Sequence, residues 1–378
     1  MQSKFPQIGV SIFATMSQWC RELGAINLAQ GCPDFDCDPT LFALVQKYMR
    51  QGFNQYSPME GIFPLRESIA QKIYNSYGVN YNPATEITIT AGATEAVYCA
   101  IAATVRTGDE VIYFEPAFDS YLPNILMQGG VPVPIALHYP DYKIDWGLVR
   151  SKMNKNTRLV IINSPHNPTG MILSKADMDE LETLSEEFDF YILSDEVYEH
   201  LVFDDKKHES VAAYENLRKR SFIIYSFGKV FHITGWRLGY CLAPVAMMDA
   251  FRKIHQFVNF SAVTPLQYAV QEYMQEPRHY LDLPQFYQQK RDLLIALLKD
   301  SRFQLIPSQG TYFQLVSYEN ISDQNDRQFS ELLIREYGVA CIPLSPFYHD
   351  GKDEKIIRFC FAKKEQTLID AAKILCEI

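Results

Sequence analysis

Between about residues 85 and 245 the sequence alternates short β-branched runs with stretches of helical spacing, and this alternation limits the fold more than any other feature. Ile87–Thr90, Glu110–Phe114, Val131–Ala136, Arg158–Ile162, Phe190–Ser194, Phe222–Ser226 and Leu238–Leu242 read as strands. Gly92–Val105 and Lys175–Phe188 lie between strands and read as helices. Strands separated by helices pair in parallel, because a parallel pair needs a long crossover and the helix supplies it. Leu159-Val160-Ile161-Ile162 is apolar on both faces, as a strand covered from both sides must be. The expected fold is α/β, a mostly parallel central sheet with helices on both faces.

From about Pro244 the pattern changes. Ala262–Gln275 and Tyr280–Lys299 have apolar residues at helical spacing. Beyond them, strand-like Thr311–Val316 and Ile356–Phe361 mix with helix-like Asp326–Tyr337 and Lys364–Cys376. This predicts a smaller α+β domain over 276–378, a large α/β domain over 41–275, and a segment 1–40 that packs on the small domain or on a partner subunit.

Composition narrows the function. At 378 residues with 47% hydrophobic and 21% charged residues, the chain can bury a full core without staples. Its net charge of -10, with no Lys/Arg block, argues against a nucleic-acid partner. No uncharged apolar stretch is long enough to span a membrane, and Met1–Ile12 does not read as an export signal. Eight cysteines are scattered singly without a CxxC pair, which points to a reducing cytoplasm. The eight histidines are dispersed and no HExxH occurs, so no metal site is expected.

Four segments carry chemistry, each just after a strand. In Ser226-Phe227-Gly228-Lys229, followed by Arg237, a lysine sits between a hydroxyl and a guanidinium. A lone lysine there is usually a solvated cap. An amine nucleophile for an aldehyde cofactor, with serine and arginine for that cofactor's phosphate, explains all three residues together. In Ser194-Asp195-Glu196-Val197-Tyr198 the aspartate ends a strand, where α/β sheets bind ligands. It reads as a helix cap or as a carboxylate that keeps a ring nitrogen protonated. Tyr198 reads as a core aromatic or as a partner of the ring's phenolic oxygen. Asn163-Ser164-Pro165-His166-Asn167-Pro168-Thr169-Gly170 is a turn by composition, and Asn167 could reach the same oxygen. Thr90-Ala91-Gly92-Ala93-Thr94 turns a strand into a helix whose free N–H groups suit a phosphate, as many such turns would.

With these residues in view, the sequence resembles the fold-type-I pyridoxal-phosphate (PLP) enzymes, in the class I/II aminotransferase group. The resemblance runs from about Asn27 to the C-terminus. It implies pyridoxal 5'-phosphate as cofactor, amino acids and 2-oxo acids as substrates, and a homodimer. It implies Lys229 as the Schiff-base lysine, Asp195 as the ring-nitrogen partner, and Tyr198 and Asn167 on the phenolic oxygen. Gly92, Ala93, Thr94, Ser226 and Arg237 would hold the phosphate, with Tyr56 reaching it from the neighbouring subunit. Phe118 would stack on the ring. Arg358, an arginine inside an apolar strand, would clamp the substrate carboxylate, with Asn167 and the Gly31 backbone nearby.

Within the group, the sequence is most similar to methionine aminotransferases and to kynurenine aminotransferase/glutamine transaminase K. Ala93 departs from the aromatic or glycine that the kynurenine-type enzymes tend to carry, which favours the methionine type. Phe257–Val263 contains no Arg or Lys to pair an acidic side chain, whereas Phe260, Phe13 and Tyr56 could line an apolar substrate pocket. The alternatives are the kynurenine-type activity, a carbon–sulfur β-lyase on the same residues, and a regulator with an aminotransferase-like sensor domain. The last would need a basic DNA-binding module that the first ~85 residues lack.

Overall fold

The structure, a computed structural model, describes residues 9–378. The expectation that no export signal opens the chain falls mostly on residues 1–8, outside the described residues, as does the start of the 1–40 segment. The described chain opens with a helix, Ile12–Leu23, and a short strand, β1 (Ile26–Asn27).

Seven strands follow between residues 87 and 242: β2 (Ile87–Thr90), β3 (Glu110–Glu115), β4 (Val131–Ala136), β5 (Thr157–Asn163), β6 (Tyr191–Asp195), β7 (Ser221–Ser226) and β8 (Gly239–Leu242). They form one sheet in the order β2-β8-β7-β6-β5-β3-β4. All neighbours are parallel except β8, which runs antiparallel to both β2 and β7. Leu159, Val160, Ile161 and Ile162 of β5 are buried, as their double-sided apolar pattern requires. Truncating Ile161 to alanine would cost about 2–5 kcal/mol through lost burial and the cavity left behind. The crossover helix Lys175–Glu187 starts on a reciprocal capping box between Ser174 and Asp177.

The remaining strands belong to two smaller sheets. β9 (Gln304–Leu305), β10 (Phe313–Ser317), β12 (Ile342–Pro343) and β13 (Ile356–Cys360) form an antiparallel sheet in the order β12-β13-β10-β9. β11 (Val339–Ala340) pairs in parallel with β1. That pairing ties the N-terminal segment to the last third of the chain. Arg335, lying over the Trp19 ring at 4.9 Å, adds to the tie.

Several elements are shorter than expected, the helix over Ala262–Gln275 among them at Thr264–Tyr273, and two of the differences have a visible cause. The helix expected over Tyr280–Lys299 breaks at Asp282 into Arg278–Leu281 and Leu283–Leu298. Pro284, in the first turn of the second helix, has no N–H to continue the first. The strand expected from Thr311 begins at Phe313, because Thr311 takes a positive φ of 67°. Among the described residues no helix is long and apolar enough to cross a membrane.

Candidate active site

The carboxyl ends of the parallel strands converge on one edge of the large sheet, and the antiparallel β8 starts at the same edge. Between that edge, the small sheet and the start of the first helix lies a cavity of about 240 Å³. Most of the residues singled out from the sequence line it: Gly31, Ala93, Thr94, Phe118, Asn167, Asp195, Tyr198, Ser226, Lys229, Arg237 and Arg358. They come from seven separate stretches of chain, so the sheet edge and not sequence proximity brings them together.

Lys229 lies on the single helical turn Phe227–Val230 after β7. Its amine opens onto the cavity but is otherwise walled in by protein. Nζ donates to the Tyr312 hydroxyl at 3.0 Å and approaches the Gly31 carbonyl at 3.5 Å. Burial lowers its pKa to about 8, and the Arg237 and Arg358 charges add to the effect. A lysine so placed has a usable neutral amine near neutral pH.

Asp195 closes β6 and is 4% exposed. Tyr121 Oη donates to Oδ2 at 2.6 Å, and the Val197 N–H reaches Oδ1 at 3.4 Å. Burial still outweighs these bonds and raises the carboxyl pKa to about 6. Asp195 ends a strand in full β pairing with Asn163 and Ile224 and caps no helix. A buried carboxylate in this state would be stabilised by a cationic or N–H partner in the cavity.

The opposite end of the cavity suits an anion. The helix Ala93–Thr104 begins there with Gly92 at its cap and no side-chain cap bond, leaving first-turn N–H groups free. Gly92 has φ +82°, and a Cβ on it would lie 2.6 Å from Arg237 Nη2. Only a glycine lets the guanidinium lie against this turn. Arg237 donates to the Thr234 carbonyl at 3.0 Å and makes no ion pair among the described residues. Thr94 and Ser226 bring hydroxyls to the same end.

Arg358 projects from the centre of β13 and is fully buried. Nη1 donates to Asn167 Oδ1 at 2.7 Å and Nη2 to the Ala29 carbonyl at 3.3 Å, whereas Nε has no partner. The guanidinium lies 3.8 Å from the Phe313 ring centroid, 5.2 Å from Phe13 and 5.5 Å from Phe347. Burial pulls its pKa down to about 10. A buried cation without a carboxylate is costly, and a bidentate anion repays that cost.

Tyr56 and Phe260 stand apart. They pack edge to face at 5.4 Å but do not line this chain's cavity, and Tyr56 is 84% exposed. Phe13, read only from its N-terminal position, does line it. Tyr121, Tyr312 and Phe313 escaped the sequence reading although all three touch the key side chains. Tyr121 and Tyr312 contact their partners across 74 and 83 residues, so their local pattern is that of core tyrosines.

Among the described residues one His/Cys/acid group is close enough to hold a metal: Glu95, Cys99 and His255. Both ring nitrogens of His255 are taken, Nδ1 by Glu95 at 2.5 Å and Nε2 by the Met59 carbonyl at 2.9 Å.

Residues 24–375 match the family model "Aminotransferase class I and II". The chain is 47% identical to a methionine aminotransferase of Escherichia coli (strain K12), over all of this chain and 98% of that one. A solved E. coli structure assigned methionine aminotransferase function superposes with a TM-score of 0.98 at 46% identity, covering 100% of this chain and 99% of that one. A probable N-succinyldiaminopimelate aminotransferase of Mycobacterium tuberculosis is 34% identical over 99% of this chain and 97% of its own. A kynurenine–oxoglutarate transaminase of Dictyostelium discoideum is 33% identical over 95% of this chain and 92% of its own.

Proposed function

The chain belongs to the class I and II aminotransferases, and from that premise we propose that it moves the amino group of a neutral amino acid, methionine foremost, to a 2-oxo acid with pyridoxal 5'-phosphate as cofactor. The residues present fit this cofactor. The uncapped helix start, Arg237, Thr94 and Ser226 offer donors to a phosphate. Asp195, its pKa raised by burial, suits a protonated ring nitrogen. Lys229 supplies an amine that is nucleophilic near neutral pH. When bound, pyridoxal phosphate provides a carbonyl carbon that takes the amino group and a ring that withdraws electrons from the substrate Cα.

The chain's own residues then divide the work. Arg358 takes the substrate α-carboxylate bidentately, exchanging part of its bond to Asn167, and so fixes the Cα hydrogen relative to Lys229. The Lys229 amine would accept that proton and deliver it to the cofactor's carbonyl carbon and not back to Cα. Asp195 would hold a proton on the ring nitrogen, with Tyr121 fixing its carboxylate. Tyr198 and Asn167 would hydrogen-bond the phenolic oxygen, and Phe118 would cover one face of the ring. Residues 41–275 would form the cofactor-binding domain and 276–378 the small domain, with the cavity between them.

One observation carries the substrate assignment. The walls beside Arg358 are aromatic, and among the described residues the only Lys or Arg side chains lining the cavity are Lys229, Arg237 and Arg358. These three are already assigned to the amine, the phosphate and the α-carboxylate. An acidic side chain would be buried without a partner, at a cost of several kcal/mol. A thioether packs well against aromatic edges. The relative named a methionine aminotransferase supports this choice, and the one named a kynurenine–oxoglutarate transaminase supports aromatic donors as a second range. The test is kcat/KM for methionine, phenylalanine, glutamine, kynurenine and aspartate with one 2-oxo acid. Methionine should lead and aspartate should trail. Aspartate ahead of methionine would overturn the assignment, and pyruvate plus ammonia from a cysteine conjugate without an acceptor would mark a β-lyase.

The active unit in this reading is a homodimer. Tyr56, Phe257, Phe260 and Val263 expose large apolar surface on one chain, with Phe257 at 86% exposure. A shallow groove between Phe42, Met49 and Trp236 also lies in this part of the chain. Contact with a second copy would cover such a surface and let Tyr56 reach a neighbouring cavity.

A further inference from the structure

Tyr312 has no part in the chemistry described so far, yet it is fully buried and touches the amine directly. Its hydroxyl donates to the Gly31 carbonyl at 2.6 Å. A phenol has one proton and two lone pairs, so with the proton on Gly31 it can face Lys229 only as an acceptor. Nζ donates to it at 3.0 Å. The Gly31 carbonyl, 3.5 Å from Nζ, completes a two-oxygen seat for the amine.

That seat is rigid. Phe313 and Tyr198 pack around the Tyr312 ring at centroid distances of 4.9 and 5.2 Å, and Tyr287 lies at 5.8 Å. Burial holds the phenol far above its ordinary pKa, so it stays protonated and does not compete as a base. A Cβ on Gly31 would lie 2.8 Å from Phe313 Cζ, so a side chain there would push that ring aside. Two residues earlier, the Ala29 carbonyl accepts from Arg358 Nη2 at 3.3 Å. The stretch Ala29–Gly31 therefore touches both the amine seat and the guanidinium that faces the carboxylate.

Resting on the reading of Lys229 as the proton-transferring base, we propose that Tyr312 is a positioning residue for that base. It seats the free amine against the Gly31 carbonyl with its N–H bonds directed away from the cavity. The nitrogen lone pair is then left to face the substrate Cα, at a distance set from the same backbone stretch that holds Arg358. Without the hydroxyl the amine keeps its chemistry but loses its fixed direction, and misdirection of this kind is costly for proton transfer.

The experiment compares Tyr312→Phe with the parent in two ways. In the cofactor-free protein, competitive labelling with acetic anhydride across pH, read on the Lys229 peptide by mass spectrometry, gives the lysine's pKa. Loss of an acceptor to the ammonium form should lower it by about one unit. In the loaded enzyme, kcat for methionine should fall on the order of ten- to a hundredfold while KM changes little. The α-deuterium isotope effect should rise as proton transfer becomes limiting. The substitution removes one atom, and a thermal melt reports whether the variant is folded at the assay temperature. The labelling reads Lys229 in the folded protein even if stability drops. An unchanged Lys229 pKa together with an unchanged isotope effect would overturn the proposal and leave Tyr312 as packing. Lys229→Ala, run in parallel, separates the two ideas. If it keeps its turnover, the reading of Lys229 as base fails. If it is inactive while Tyr312→Phe behaves as the parent, only the Tyr312 proposal falls.

Discussion

Arg358 Nη1 donates to Asn167 Oδ1 at 2.7 Å, a bond that joins the small sheet to the loop after β5. The amide partly satisfies the guanidinium, and Nε is left without a partner. A carboxylate entering the cavity would find donors already aimed and a charge already desolvated. Arg358→Gln should therefore raise KM for every amino acid and lower kcat/KM by about two to three powers of ten, as expected for loss of one side of a buried charge pair. Cofactor binding should be retained, because the anion end of the cavity is untouched. Steady-state kinetics and cofactor absorbance on the same preparation check both halves.

Asp195→Asn should bind the cofactor and lose roughly a thousandfold in kcat, corresponding to about 4 kcal/mol. A neutral amide cannot keep the ring nitrogen protonated. The cofactor-free variant should meanwhile be no less stable than the parent at pH 7. The folded pKa of Asp195 is raised from 3.8 to about 6, so the fold favours the protonated acid. Its ionisation thus removes stability as pH rises from about 4 to 6, on the order of 2–3 kcal/mol, and the amide escapes that loss. Melting curves of both proteins at pH 5 and pH 7 test the sign.

Uptake of pyridoxal phosphate by the cofactor-free protein should depend on pH through Lys229. Only the neutral amine attacks an aldehyde, and burial brings this lysine's pKa down to about 8. The association rate should climb with pH and level off above about 8. A rate that keeps climbing toward 10 would identify an ordinary solvated lysine.

Tyr56 should act on the neighbouring subunit. Mixing Tyr56→Phe chains with Lys229→Ala chains should produce hybrid dimers holding one intact site, with more activity than either parent variant. No gain in the mixture would mean that Tyr56 serves its own chain or none.

The large sheet was legible because its signal is local. Val131–Ala136 and Ile87–Thr90 coincide with the expected strands, and Phe190–Ser194 shifts by only one residue. The place of Lys229, Asp195 and Asn167 on the cavity wall was legible because each ends such a strand or lies within four residues of its end. Tyr312 and Tyr121 were not, since a tyrosine that serves a distant side chain looks locally like one that fills a core. The break at Asp282 had a visible cause in Pro284, but the apolar spacing continues across it and masked the stop. Tyr56 and Phe260 lie on an exposed surface away from this chain's cavity, and in the proposed homodimer their role would depend on a second chain, which neither periodicity nor a single subunit reveals.

The most direct measurement is the site of covalent attachment. The protein loaded with pyridoxal phosphate, reduced with borohydride and digested, should yield a single pyridoxyl-bearing peptide, and fragmentation should place the group on Lys229. Lys229→Ala should give no such peptide and almost no turnover. A pyridoxyl group found on Lys72, Lys363 or any other lysine would contradict the assignment of this cavity as the catalytic centre.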